Sequence, residues 1–199
     1  HLGMSGRWRV DPEEIGTHDH LILTTDAGRR LALCDPRRFG FVELARTEAL
    51  ARYAPFTRMG PEPLGEGFSG RALKAALAGK GTSIKAALLD QHVVAGLGNI
   101  YVCEALNMSG IAPGTKAGKL SGARCERLVA AVKDVLASAI AAGGSTLRDY
   151  ARPDGELGYF SKQWRVYGCE GEACPACGAP VLRRADGGRS TFYCGACQK

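Results

Sequence analysis

Apolar and polar residues alternate over residues 20–25, the turn-forming run Asp26-Ala27-Gly28 follows, and the alternation resumes over 30–34. A period of two puts successive side chains on opposite faces of a strand, so this stretch predicts a β-hairpin. Residues 39–44 predict a further strand. Residues 53–67 then hold Pro55, Gly60, Pro61, Pro63, Gly65 and Gly67, which reads as a linker. Beyond it the pattern is helical. Ser69 is placed to cap a helix over 71–77, and Thr82 or Ser83 one over 84–89. A helix over 100–108 follows a glycine-rich break. The longest helix is predicted over 121–142, where Leu128, Val132, Val135, Leu136, Ala139 and Ile140 recur at helical spacing as a core face and Gly143-Gly144 stops it. Residues 180–184 and 190–193 flank Asp186-Gly187-Gly188 and predict a second hairpin.

Composition narrows the class. Hydrophobic residues make up 45% of the 199 and charged residues 23%, an ordinary globular balance. No apolar run approaches the roughly 18 residues of a membrane span, and residues 1–10 lack the basic start and apolar stretch of a signal peptide. The net charge of +6 and pI of about 9.0 suit a polyanionic partner without requiring one. The chain starts at His1 in what reads as mid-domain sequence, so a fragment is expected.

Four of the eight cysteines form the pattern Cys174-x2-Cys177-x16-Cys194-x2-Cys197. Two CxxC pairs at this spacing predict one structural Zn²⁺, with four thiolates closing the coordination sphere against catalytic water. So small a segment has no core of its own, and metal binding of this kind supplies roughly 10–16 kcal/mol apparent. Arg183, Arg184, Arg189 and Lys199 make the ribbon cationic. Cys34, Cys103, Cys125 and Cys169 are expected as buried small hydrophobes in a reducing compartment.

Three motifs and one arginine each carry two readings. In Asp35-Pro36-Arg37-Arg38-Phe39-Gly40 two guanidinium forks, suited to phosphates and base edges, stand beside a ring that can wedge between base steps; the same run could open a strand with Phe39 in the core. His1-Leu2-Gly3-Met4-Ser5-Gly6 puts Met4 either on an adaptable exposed turn or in the core. In Val94-Ala95-Gly96-Leu97-Gly98-Asn99-Ile100 the glycines permit tight turns and Asn99 stands at a helix start. Backbone N–H groups there can hold a phosphate, with Lys80 and Lys85 adding charge, or the segment is a plain helix corner capped by Asn99. The flanks are helical, which disfavours a dinucleotide-binding loop. Arg189, just past the second hairpin's tip, is either a solvated charge or a cation aimed by a metal-stiffened hairpin.

Together these motifs resemble the formamidopyrimidine-DNA glycosylase family, in its order and from first residue to last. Residues 1–6 are similar to the family's void-filling turn and residues 35–40 to its intercalation loop. Gly96-Leu97-Gly98-Asn99-Ile100-Tyr101 is similar to its helix–two-turns–helix motif, and Thr191-Phe192-Tyr193-Cys194 through Cys197-Gln198-Lys199 to the end of its zinc finger. The resemblance implies an α+β fold: the remainder of an N-terminal β-sandwich catalytic domain (1–52), a linker (53–68), a helix–two-turns–helix DNA-binding domain (69–152), and a lesion loop with zinc finger (153–199). It implies a base-excision repair DNA glycosylase and AP lyase that removes oxidised purines by base flipping and β,δ-elimination. The implied setting is a monomer in the bacterial cytoplasm, with one structural Zn²⁺, double-stranded DNA containing oxidised bases as partner, and no membrane. An endonuclease VIII-like enzyme for oxidised pyrimidines, a non-catalytic zinc-dependent DNA-binding module and a protein-binding zinc ribbon are the alternatives.

By the same resemblance, Met4, Arg37 and Phe39 fill the space left by a flipped nucleotide. His18, Arg37, Arg38 and Lys80 contact DNA, Lys85 and Asn99 hold phosphates near the lesion, and Arg189 serves the lesion-side phosphate and late elimination. Three departures stand out. The family's nucleophile is an N-terminal proline followed by a glutamate, with a lysine further along, and none of these is in the sequence. The expectation is a chain that binds duplex DNA and cuts it poorly or not at all. Glu156 sits in the lesion-covering loop, where lysine is common, and Cys169 stands where a basic residue is usual.

Overall fold

The alternation over 20–25 and 30–34 makes the expected hairpin. In the computed structural model, which describes residues 1–3, 5–145 and 158–199, β2 (Asp19–Thr24) pairs antiparallel with β3 (Arg30–Cys34). A strand the sequence reading missed, β1 (Arg7–Val10), pairs with the other edge of β3, giving the order β1-β3-β2. Its four residues hold too short an alternation to stand out. Burial concentrates on the central strand, at Ala32, Leu33 and Cys34. Residues 39–44 do not form the expected strand. Phe41 exchanges two main-chain hydrogen bonds with His1 (2.9 and 3.0 Å), and one residue pair is too short to start a ladder. The described residues form two compact units, His1–Ala49 with Ala139–Gln163, and Leu50–Ser138 with Trp164–Lys199. The sheet belongs to the first.

The proline- and glycine-rich stretch is less plain than a linker. A 3-10 turn (Thr47–Arg52) leads into it, and it holds one turn of helix, α1 (Ala54–Thr57), with Pro55 in the first turn, where its missing N–H costs nothing. The next two helices start where serines cap them. Ser69 Oγ accepts from Ala72 N at the head of α2 (Gly70–Leu77). Ser83, rather than Thr82, does the same for Ala86 N at α3 (Ile84–Leu89). Helix α4 (Asn99–Met108) has Gly98 at its N-cap and no side-chain cap, so Asn99 is its first residue and not its cap. Gln91 sets the tight corner between α3 and α4: its Oε1 accepts from Gly96 N (2.7 Å) and its Nε2 donates to Leu97 O (3.2 Å).

Helix α5 (Gly122–Ala141) buries Leu128, Val132, Val135 and Ala139 as its pattern predicted. Ile140 is 65% exposed, contrary to expectation. It lies about 100° around the helix from Ala139, off the row the other four define. In the ribbon, β4 (Val181–Asp186) and β5 (Arg189–Cys194) are joined by Gly187-Gly188, both at positive φ (+57° and +76°), as a two-residue hairpin turn of the primed kind requires. Asp186 is therefore a strand residue opposite Arg189, not part of the turn.

Buried polar groups join the ribbon to the helices of its unit. Glu104 on α4 is 1% exposed and accepts the main-chain N–H groups of Arg165 (2.9 Å), Val166 (3.0 Å) and Tyr167 (2.8 Å). Gln198, also buried, accepts from Cys194 N (2.7 Å) and Asn107 Nδ2 (3.2 Å) and donates to Ile111 O (2.8 Å). A charged acceptor serving three buried donors cannot be removed cheaply. Glu104→Ala should lower unfolding free energy by about 3 kcal/mol, since it leaves those N–H groups without a partner. Denaturant titration checks this: the midpoint falls with the slope unchanged, and an unmoved midpoint counts against the assigned role.

Candidate nucleic-acid interface and metal centre

The ligating atoms of Cys174, Cys177, Cys194 and Cys197 all lie within 4.8 Å of one another. Cys174 and Cys197 are 3.8 Å apart, and Cys177 and Cys194 3.4 Å. Thiolates about 2.3 Å from a zinc ion at tetrahedral corners stand about 3.8 Å from each other, so the donor set fits Zn²⁺ in both number and spacing. Within the cage, burial pushes the Cys194 thiol up, but N–H groups of Cys197 and Ala196 outweigh it and hold its pKa at about 6, while burial and the neighbouring thiols push Cys197 up to about 12, so a bound cation is needed to keep all four as thiolates. Behind the cage, Val181 and Phe192 pack with Val166 and Cys103 in a small apolar cluster. None of the eight cysteines is in a disulfide. Cys34, Cys103 and Cys125 are buried as expected and Cys169 half-buried, with burial raising each thiol's pKa.

In the first unit the loop 35–40 is folded around a buried carboxylate. Asp35 Oδ2 accepts from Gly40 N (2.7 Å), and the Asp35 carbonyl accepts from Arg38 N (3.2 Å). Closing the loop this tightly puts Arg38 in the left-handed region, at φ +54°. It also turns Arg37, Arg38 and Phe39 outward. Phe39 is 56% exposed, which rules out the core reading, and the Arg37 guanidinium carbon sits 4.8 Å from the centre of its ring. The turn at the chain's start lies directly against this loop. A side chain on Gly3 (φ +65°) would come within 2.6 Å of the Phe39 carbonyl carbon, so glycine is required there. Met4 and Glu156 lie outside the described residues. His18 is exposed, and its carbonyl accepts from Asp35 N (2.9 Å), tying the lead-in of β2 to the same loop.

In the second unit three of the sequence-predicted residues converge on the tip of the zinc hairpin. Asn99 Nδ2 donates to the Ser190 carbonyl (2.9 Å), and Lys85 Nζ donates to the same oxygen (3.3 Å) and to Thr191 Oγ1 (2.7 Å). Arg189, the neighbour of Ser190, is exposed, and its guanidinium makes no hydrogen bond or ion pair among the described residues. The expectation of a direct phosphate contact by Lys85 is corrected. Its side chain is 1% exposed, its amine is committed to the hairpin, and burial pulls its pKa below the usual lysine value. Lys80 is half-buried, 3.8 Å from Asp90. Tyr167 belongs to the cluster but went unread, its hydroxyl 3.4 Å from Asn99 Nδ2. A lone tyrosine so far along the chain from Asn99 leaves no local signal.

Three family models match the chain. They are the formamidopyrimidine-DNA glycosylase N-terminal domain over residues 1–42, the formamidopyrimidine-DNA glycosylase H2TH domain over 59–151, and the zinc finger found in FPG and IleRS over 171–199. Over 199 residues the chain is 67% identical to the formamidopyrimidine-DNA glycosylase of Rhizorhabdus wittichii and 60% identical to that of Novosphingobium aromaticivorans, spanning all of this chain and 73% of each relative. Among solved structures it is similar to the MutM (FPG) protein of Thermus thermophilus, at 42% identity and a TM-score of 0.88, covering all of this chain and 74% of that one. It is also similar to the Lactococcus lactis Fpg in complex with abasic-site DNA, at 35% identity and a TM-score of 0.90, covering all of this chain and 73% of that one.

The metal's contribution to folding is directly measurable. Cys194→Ser should bring zinc below one ion per chain and unfold the hairpin, seen as loss of near-ultraviolet dichroism from Tyr193 and Phe192. A full complement of zinc in the variant would contradict the four-thiolate assignment.

Proposed function

The chain belongs to the formamidopyrimidine-DNA glycosylase family, and on that premise we propose how its residues serve the repair of damaged bases. It is a base-excision repair DNA glycosylase; its partner is double-stranded DNA carrying a damaged base, and its zinc is structural. Our reading takes oxidised purines as the substrate and the bacterial cytoplasm as the site of action.

A base inside a duplex cannot be reached, so excision requires extruding it, at a few kcal/mol of lost stacking and pairing. Side chains that occupy the vacated space offset that cost. We assign this to Phe39, Arg37 and Met4. The observation that carries the assignment is the exposed Phe39 ring, held by a loop that Asp35 closes from within. A large apolar ring kept in water on an ordered loop serves no folding purpose, whereas it suits a wedge between base steps. Arg37 stacked on that ring brings charge to the adjacent backbone. His18 and Arg38, both exposed, are assigned to phosphates of the same stretch.

The second contribution is an anion site at the zinc hairpin. Arg189 supplies the cation for the lesion-side phosphate, and Asn99, at the open N-terminus of α4, supplies the helix end, where free N–H groups favour negative charge. Lys80 is assigned to a more distant phosphate. Lys85 serves from the inside, by fixing the hairpin rather than touching DNA. Arg189 is also assigned to the late elimination, whereas the covalent attack on the sugar is assigned to none of these residues.

Two measurements test the reading. Phe39→Ala should weaken binding to an abasic-analogue duplex about tenfold, the scale of one lost stacking contact, and reduce bending seen by end-to-end energy transfer, with the melting temperature unchanged. Loss of the fold, or unchanged affinity, would remove Phe39 from the interface. Arg37→Ala and Arg189→Ala should each lower the slope of log affinity against log salt by about one, the signature of a lost phosphate contact.

A further inference from the structure

The hairpin tip gathers three cations around one carboxylate. Lys85 lies close enough to Arg184, Arg189 and Asp186 to interact electrostatically with each, and Asp186 does the same with Arg184. In the strand register Asp186 stands directly opposite Arg189 across the Gly187-Gly188 turn. A carboxylate so placed is the natural partner for that guanidinium, yet it is engaged elsewhere. Its Oδ2 accepts from Thr191 Oγ1 (2.7 Å) and Arg184 Nε (2.9 Å). Thr191 is fully buried and sits between two charges: its hydroxyl accepts from Lys85 Nζ at 2.7 Å and donates to Asp186. A hydroxyl has one proton to give and lone pairs to receive, so it can bridge a cation and an anion in this direction. Burial alone would raise the Asp186 pKa, but the bonds from Thr191 and Arg184 win and keep it low, so the carboxylate stays charged.

We propose that Thr191 and Asp186 are positioning residues for Arg189: the chain Lys85–Thr191–Asp186–Arg184 locks the hairpin tip onto α3 and turns the tip's carboxylate away, so that Arg189 is presented unpaired to a DNA phosphate. Repulsion from Lys85 acts in the same sense, directing the Arg189 guanidinium outward. Without the Thr191 bridge Asp186 is free to rotate onto Arg189, and the cation is neutralised before DNA arrives. The proposal rests on the assignment of Arg189 to a phosphate.

The test is a double-mutant cycle on the 199-residue chain, read as affinity for an abasic-analogue duplex at one fixed salt concentration, with zinc content monitored in every variant. Thr191→Val, isosteric but unable to bridge, should weaken binding about tenfold, the scale of a lost charge-assisted hydrogen bond. Thr191→Ser, which keeps the hydroxyl, should stay within about twofold. In an Arg189→Ala background Thr191→Val should cost nothing further, because nothing remains to be aimed. Should Thr191→Val lose zinc, Asp186→Ala takes its place in the cycle, since Asp186 is only half-buried; it removes the chain's acceptor and should likewise have no effect once Arg189 is gone. An Arg189→Ala change without effect on affinity overturns the phosphate assignment and the proposal with it. A costly Arg189→Ala combined with an equal Thr191 or Asp186 penalty in both backgrounds, or a Thr191→Ser as weak as Thr191→Val, overturns the positioning role alone.

Discussion

A two-stranded hairpin cannot bury a core, so β4 and β5 take their shape from what they are fastened to. One fastening is the four-thiolate cage at the base of the ribbon. The other is a set of buried polar bonds: Glu104 beneath residues 165–167, Gln198 against Cys194 and Ile111, and the Ser190 carbonyl held by both Lys85 and Asn99. In a low-dielectric interior each such bond is strong when made and costly when broken, so the ribbon has one well-defined posture on its helices. The posture determines where Arg189 stands. A flexible arginine at a loose tip would lose much conformational entropy on meeting a phosphate, and a tip held in advance loses less.

The loop over residues 35–40 solves a related problem by opposite means. Its polar group is inside and its apolar group outside. Asp35 is buried and holds the loop closed through Gly40, while Phe39 is left in water. Burial of a carboxylate and exposure of a phenyl ring are each unfavourable for folding alone, and Arg38 in the left-handed region adds strain. Such departures from local preference are tolerated where a side chain must be ready for a partner, and family membership identifies that partner as duplex DNA. In both units the residue assigned to DNA is exposed, and the polar group that holds its loop or strand is buried.

Much of this was readable along the chain because it depends on local spacing. The CxxC pairs announced the metal site, since ligand geometry constrains the cysteines within each pair. Serine caps marked the starts of α2 and α3, and four of the six positions read as a core face on α5 are buried. Where local signals were short or ambiguous the reading failed. Strand β1 has four residues, residues 39–44 looked strand-like but form no strand, and Ile140 fitted a helical spacing that the helix's rotation carries away from the core.

The sequence by itself determined the family, the zinc ligands and the order of most strands and helices, and it supplied the candidate DNA contacts, because each of these is written in the type and spacing of neighbouring residues. Tertiary structure alone decided which of those residues are free to act. Lys85 and Arg189 are both basic residues within matched motifs, yet one is buried under Thr191 and the other stands in solvent. Nothing local separates them, since the groups that bury Lys85 come from a strand about a hundred residues further along, and desolvation depends on what packs in space and not on what adjoins in the chain.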